Sequence, residues 1–165
     1  MQSTTPRRIR PMYTGINISH IFVLDQDKAL DFYVNTLGMV VNQDLDLGFM
    51  RWLTVSVPGQ PEREVLLEKP GPPGMDQKSA DQIRDLVTKG ATGFTLGLTT
   101  DDCRKTYETL KARGVEITSE PEEHFYGTDF GLRDPFGNQL RIVQLATHDN
   151  GMPKTIEPPK ARAKA

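Results

Sequence analysis

The sequence predicts an α+β fold: two βαβββ modules forming a curved, cup-like mixed sheet with helices outside. Three observations predict it. First, the chain repeats itself: an apolar strand run, an acidic residue, an amphipathic helix and a glycine stop occur once in each half. Second, each half continues into two further apolar runs joined by a tight turn. Third, neither sheet covers its own apolar face, so the two are expected to pack as one layer under the helices.

The first module is assigned to residues 16–70. Ile16 to Leu24 is a strand run that ends at Asp25, a helix N-cap residue. Asp27 to Thr36 follows as a helix with apolar residues Ala29, Leu30, Phe32 and Tyr33 on one side. Gly38 stops it, and Met39-Val40-Val41 starts a strand. Strands over about Phe49 to Val57 and Glu64 to Glu68 are joined by Pro58-Gly59-Gln60-Pro61.

The second module, residues 93–146, runs in the same order. Phe94 to Leu98 leads into Asp101-Asp102, a helix carries Tyr107, Leu110 and Ala112, and Gly114 ends it before Val115-Glu116-Ile117. The offset from Asp25 to Asp102 nearly equals that from Gly38 to Gly114. Strands over about Phe125 to Arg133 and Gln139 to Leu145 flank Asp134-Pro135-Phe136-Gly137-Asn138. In that turn Asp134 bonds its own backbone, Pro135 presets φ, and Gly137 or Asn138 takes positive φ. Residues 71–92 connect the modules and contain a short helical stretch, Gln77 to Val87; a lid and a plain linker are both open.

Residues 1–15 are expected to be a disordered arm and residues 147–165 a disordered tail rich in Pro and Lys. No apolar stretch follows Arg7, Arg8 and Arg10, so the start does not read as a signal peptide. No run approaches the roughly 20 apolar residues of a membrane span. A net charge of −2 gives no attraction to nucleic acid or membranes. The single cysteine, Cys103, allows no internal disulfide and suits a cytoplasmic location.

The Asp134 to Asn138 turn and its following strand resemble the last hairpin of the vicinal-oxygen-chelate superfamily. That superfamily comprises glyoxalase I, bleomycin-resistance proteins and extradiol-type dioxygenases. Ala29-Leu30-Asp31-Phe32-Tyr33, Leu37-Gly38, Lys111-Ala112-Arg113-Gly114-Val115 and Tyr126-Gly127-Thr128 add to the resemblance, which spans Ile16 to Leu145. It implies paired βαβββ modules, a small-molecule ligand and a homodimer.

The resemblance also implies where a divalent metal would be held. The glyoxalase pattern puts a ligand seven residues before each helix-opening Asp, which gives Ile18 and Thr95. Its last-strand Glu falls at Arg141, and its fourth-strand carboxylate at Glu68. Isoleucine offers no lone pair, and arginine repels a cation. A cofactor is therefore not expected. The alternative is a shifted metal site on His20 and Glu68, with His20 two residues along the same strand face as Ile18. His124, in an acidic segment expected to be an exposed loop, and His148, at the tail, do not add to it.

Three functions remain open. In the first, the cup binds an aromatic or anionic molecule without metal. Candidate lining residues are His20, Phe22, Arg51 or Trp52, Thr95, Tyr126, Phe130 and Arg141. Arg51 and Trp52 are strand neighbours, so only one faces the cup. Arg141 binds an anion or pairs with Glu64 or Glu68. In the second, the protein is a lyase, isomerase or dioxygenase with His20 as base and Tyr126 or Arg141 stabilising an anion. In the third it is an interaction module, a homodimer whose own side chains fill the cup.

Overall fold

A computed structural model describes residues 12–147. The expected terminal arm and tail lie largely outside the described residues.

Strand β1 (Ile18–Phe22) ends before Asp25, whose carboxylate accepts from the backbone N–H groups of Asp27 and Lys28. This cap starts α1 (Gln26–Leu30), which continues as one π-helical turn over Asp31–Thr36. The wider turn is closed by Leu37 N–H donating to Phe32 O and Thr36 Oγ1 donating to Asp31 O. Gly38 ends it at φ +82°, a conformation that costs glycine nothing. Then come β2 (Val40–Asp46), β3 (Arg51–Ser56) and β4 (Glu64–Glu68). After α2 (Gln77–Thr88) the plan repeats as β5 (Phe94–Thr99), α3 (Cys103–Ala112), β6 (Glu116–His124), β7 (Gly127–Arg133) and β8 (Gln139–Leu145). Asp102 caps α3 by accepting from Lys105 N–H.

The sheet is divided. One four-stranded sheet has the order β1-β4-β3-β2, the other β5-β8-β7-β6. In each, the first strand is parallel to its neighbour and the rest are antiparallel. Residues of β1 and β5 line a shared cavity of about 590 Å³ instead of pairing across it.

One face of each sheet packs under the helices in a single core. Ile21, Val23, Leu53, Val55 and Leu67 meet Ala29, Phe32 and Tyr33; Phe130, Leu132, Leu140 and Ile142 meet Cys103, Tyr107 and Leu110. The Asp134 turn couples the modules. Asp134 Oδ1 accepts from the N–H groups of Phe136, Gly137 and Asn138, and Oδ2 accepts from Tyr33 OH at 2.8 Å. Asn138 Nδ2 donates to Asp134 Oδ2 and to Phe22 O. Gly137 supplies the positive φ, +113°. Burial, together with the Asp134 charge, pushes the Tyr33 phenol well above its ordinary value, so it stays a donor.

Two strand assignments are corrected. His124 is the last residue of β6, not part of an exposed loop, and β7 begins at Gly127 rather than Phe125. Phe125 and Tyr126 form the hairpin turn between them. The acidic run Glu120 to Glu123 reads as loop by composition, yet Glu122 and Glu123 pair with Asp129 and Thr128 of β7 after a register irregularity.

Candidate functional site

Cross-strand register sorts the expected lining residues between the two faces. On the first sheet His20 pairs with Leu66 and Phe22 with Glu68, so these four share the face away from the helices. Thr54 pairs with Leu66, which places Trp52 on that open face too. The His20 and Phe22 rings are 4.7 Å apart. Arg51 takes the opposite face, where it holds Asp44 and Asp27 with bonds of 2.7 Å. This half of the site is aromatic, with the Glu68 carboxylate on the same face.

The second sheet presents a polar cluster. Gly131 pairs with Arg141 and Asp129 with Val143, so Asp129, Gly131 and Arg141 share the open face. Arg141 donates through Nε to Asp129 Oδ2 at 2.9 Å and through Nη2 to Oδ1 at 2.7 Å. Tyr126 OH donates to Oδ2 at 3.0 Å, and His124 Nε2 lies 3.3 Å from Oδ1. The His124 and Tyr126 rings stack at 5.1 Å with 15° between planes. Asp129 is only 4% exposed. Burial alone would raise its proton affinity, but the hydrogen bonds from Arg141 and Tyr126 and the Arg141 charge outweigh burial. The carboxyl is held below the usual range and is ionised at neutral pH. The same bonds raise the Arg141 guanidinium and, together with burial, the Tyr126 phenol.

Gly131, next to this cluster on β7, makes room for two hydroxyls of β6. A Cβ there would stand 2.5 Å from Thr118 Oγ1 and 3.6 Å from Arg141 Nη1. The missing side chain lets the Thr118 and Ser119 hydroxyls of β6 approach the β7 backbone, where Gly131 N–H donates to Ser119 Oγ at 2.8 Å.

Several expectations need correction. Arg141 pairs with Asp129, not with Glu64 or Glu68. Glu64 is engaged by Thr54 and Gln43. Phe130 is not on the open face: it pairs with Ile142, is fully buried, and meets Tyr107 edge-on at 5.5 Å. Thr95 sits at an irregularity in the β5–β8 register, and its hydroxyl turns back to Gly93 O. His124 and Asp129 were not singled out as site residues. An Asp immediately after the Tyr126-Gly127-Thr128 string, on a strand opposite Arg141, was the available signal.

The donors at the implied metal positions are Ile18, Thr95, Arg141 and Glu68. Isoleucine has none, the threonine hydroxyl is turned to the backbone, and the guanidinium is cationic and bound to Asp129. Glu68 alone is a ready ligand, so the set does not fit a divalent cation. Glu68 does share the open face with His20, but among the described residues no three His, Cys, Asp or Glu side chains converge. No hydrogen bond, ion pair or ring contact joins the aromatic cluster to the polar one among the described residues. No helix among them is long and apolar enough to cross a membrane.

A second cavity, about 510 Å³, lies on the helical side between Phe32, Arg113, Arg133 and the Asp134 turn. Arg113 Nη1 donates there to Thr36 O at the end of the π-helical turn, so its charge serves a helix C-terminus.

Residues 15–142 match the family model for the glyoxalase/bleomycin resistance protein/dioxygenase superfamily. The protein YurT of Bacillus subtilis (strain 168) is 35% identical over 130 residues, covering 78% of this chain and 98% of its own. Among solved structures, UcmS2 is 38% identical with a TM-score of 0.75, over 80% of this chain and 98% of that one. TnmS3, an antibiotic binding protein from Streptomyces sp. CB03234, is 27% identical with a TM-score of 0.66, over 83% and 100%. With its two βαβββ modules and this match over most of its length, the chain belongs to the glyoxalase/bleomycin resistance protein/dioxygenase superfamily.

Proposed function

We propose that the chain is a binding protein that takes an aromatic or anionic small molecule on its open face, without a divalent metal. The bidentate Arg141–Asp129 pair carries this reading. It fixes a cation at the position where the resemblance expects a metal-ligating Glu. The pair leaves Arg141 Nη1 free to orient an oxygen of the ligand. His20, Phe22 and Trp52 on the first sheet offer stacking area to a planar molecule. That TnmS3 is an antibiotic binding protein supports a ligand of this kind.

The functional unit in this reading is a homodimer. One chain keeps its aromatic and polar clusters on separate sheets, and it exposes Phe49, Phe94 and Phe125 by 64–68%. A second copy brings an aromatic face against a polar one and covers those rings. The buried free thiol of Cys103 is consistent with action in the cytoplasm.

Two measurements test the proposal. Elemental mass spectrometry of untagged protein is expected to find metal far below one equivalent. Titration with planar aromatic antibiotics is expected to quench Trp52, the single tryptophan, saturably. A stoichiometric divalent metal overturns the metal-free reading. Unchanged affinity for carboxylated ligands in Arg141→Ala overturns the orienting role of Arg141. Light scattering after size exclusion is expected to give the mass of two chains.

A further inference from the structure

The cavity on the helical side holds a guanidinium that has nothing to donate to. Arg133, the last residue of β7, lines it and makes no hydrogen bond among the described residues. Its Nε is buried without a partner, alone among the buried side-chain nitrogens and oxygens of those residues. A buried charged donor left unpaired costs the desolvation of that group. The Glu116 carboxylate stands 3.6 Å from Nη1 and is 65% exposed, so that ion pair returns little. Asp134 also lines the cavity, but its two oxygens already serve five donors. Gly90, just past α2, gives the Arg133 head its place: a Cβ there would stand 3.1 Å from Nη2.

Arg113 lines the same cavity from the end of α3. Its Nη1 is used on Thr36 O, while Nε and Nη2 make no hydrogen bond among the described residues. Two guanidinium groups with unused donors therefore share one cavity of about 510 Å³, within the roughly 300–1,000 Å³ of small-molecule sites. Phe32, Val115, Pro135 and Phe136 add apolar wall.

We propose that this cavity is a second binding site, for a small organic acid. Its oxyanion, a phosphate or a carboxylate, accepts from Arg133 and Arg113, the geometry that guanidinium groups match best. Its apolar part lies against Phe32 and Pro135. The guanidinium charge is delocalised, so an oxyanion on either Nη offsets the burial of Nε as well. Phe32 and Thr36 belong to the first module, Thr88 to the connection, and Arg113 and Arg133 to the second. An occupant thus bridges the modules and stabilises their docking by mass action. The site lies apart from the open face and does not rest on the ligand reading above.

The probes are phenyl phosphate and benzoate, titrated at constant ionic strength and followed by the ¹H–¹⁵N signals of the arginine Nε–H groups. Saturable movement of the Arg133 and Arg113 signals is expected with at least one probe, and the tighter probe identifies the oxyanion. Neutral benzyl alcohol should bind at least about tenfold more weakly, as should the tighter probe in Arg133→Gln. Arg113→Gln should weaken binding at least about threefold and serves where Arg133→Gln does not fold. The Arg141 and Trp52 signals report the open face with their own affinity. Movement confined to those two overturns the second site and leaves the open-face reading standing. Linear shifts without saturation mean that solvent alone serves Arg133, and they overturn it as well. Equal affinity for benzyl alcohol, or in Arg133→Gln, overturns the role of the guanidinium.

Discussion

Replacing Arg141 by leucine tests whether the guanidinium is committed to Asp129 or only waiting for a ligand. The substitution removes two charge-assisted bonds, of 2.9 and 2.7 Å, from a carboxylate whose side chain is 6% exposed. Removing one partner of a fully buried pair costs about 3–5 kcal/mol. Arg141 is 41% exposed, so solvent already screens part of the interaction. Tyr126 and His124 also remain on the carboxylate. The expected loss is therefore about 2–3 kcal/mol, which at this chain length lowers Tm by about 5–10 °C. The Asp129→Leu/Arg141→Leu double variant removes both charges together. It should be more stable than Arg141→Leu alone, with a coupling energy above about 1 kcal/mol. Urea unfolding followed by Trp52 fluorescence and by circular dichroism measures all four corners of the cycle. An Arg141→Leu chain within about 0.5 kcal/mol of wild type, or a strictly additive cycle, would falsify the pairing argument.

The Asp129 carboxyl is held below its unfolded value, so its contribution is complete above about pH 4 and is lost as pH falls through the lower folded value. The stability gap between wild type and Asp129→Asn should accordingly be flat near neutrality and shrink in acid, as read by urea midpoints against pH. Asp134→Ala strips the acceptor from five donors, four of those bonds buried, and should cost more than about 3 kcal/mol; Tyr33→Phe removes one bond and should cost about 1 kcal/mol. In Gly137→Ala a Cβ would clash with Val87 O at a φ of +113°, so thermal unfolding should show a loss of about 3 kcal/mol or more. Burial pushes the Cys103 thiol up, and the side chain is fully buried, so an aromatic disulfide reagent should leave it unmodified until the protein unfolds.

The local punctuation of the chain was legible in the sequence. Asp25 and Asp102 cap their helices, Gly38 and Gly114 end them at positive φ, and the Asp134 turn bonds itself as its residue types require. Each of these signals acts within five residues, so spacing alone carries it. Glu64–Glu68 and Gln139–Leu145 likewise appear as strands where apolar runs end at turn residues.

The face on which a strand residue lies was less legible, because it depends on partners far away in sequence. Counting along one strand puts Tyr126 and Phe130 on the same side. In the structure Tyr126 belongs to the hairpin turn and folds back onto Asp129, while pairing with Ile142 sends Phe130 into the core. Irregularities at Val41/Gln43, Phe94/Leu96 and within Ile117 to Glu122 shift the count in three further strands.

By itself the sequence determined two βαβββ modules, their caps and turns, and the unsuitability of Ile18 and Arg141 as metal ligands, since those follow from residue type and short spacing. Only the tertiary structure decided that the sheet divides in two, that Arg141 is held by Asp129, and that His124 joins them. The reason is physical: pairing between β7 and β8 sets Asp129 and Arg141 side by side across a turn, and one residue of register would have put them on opposite faces.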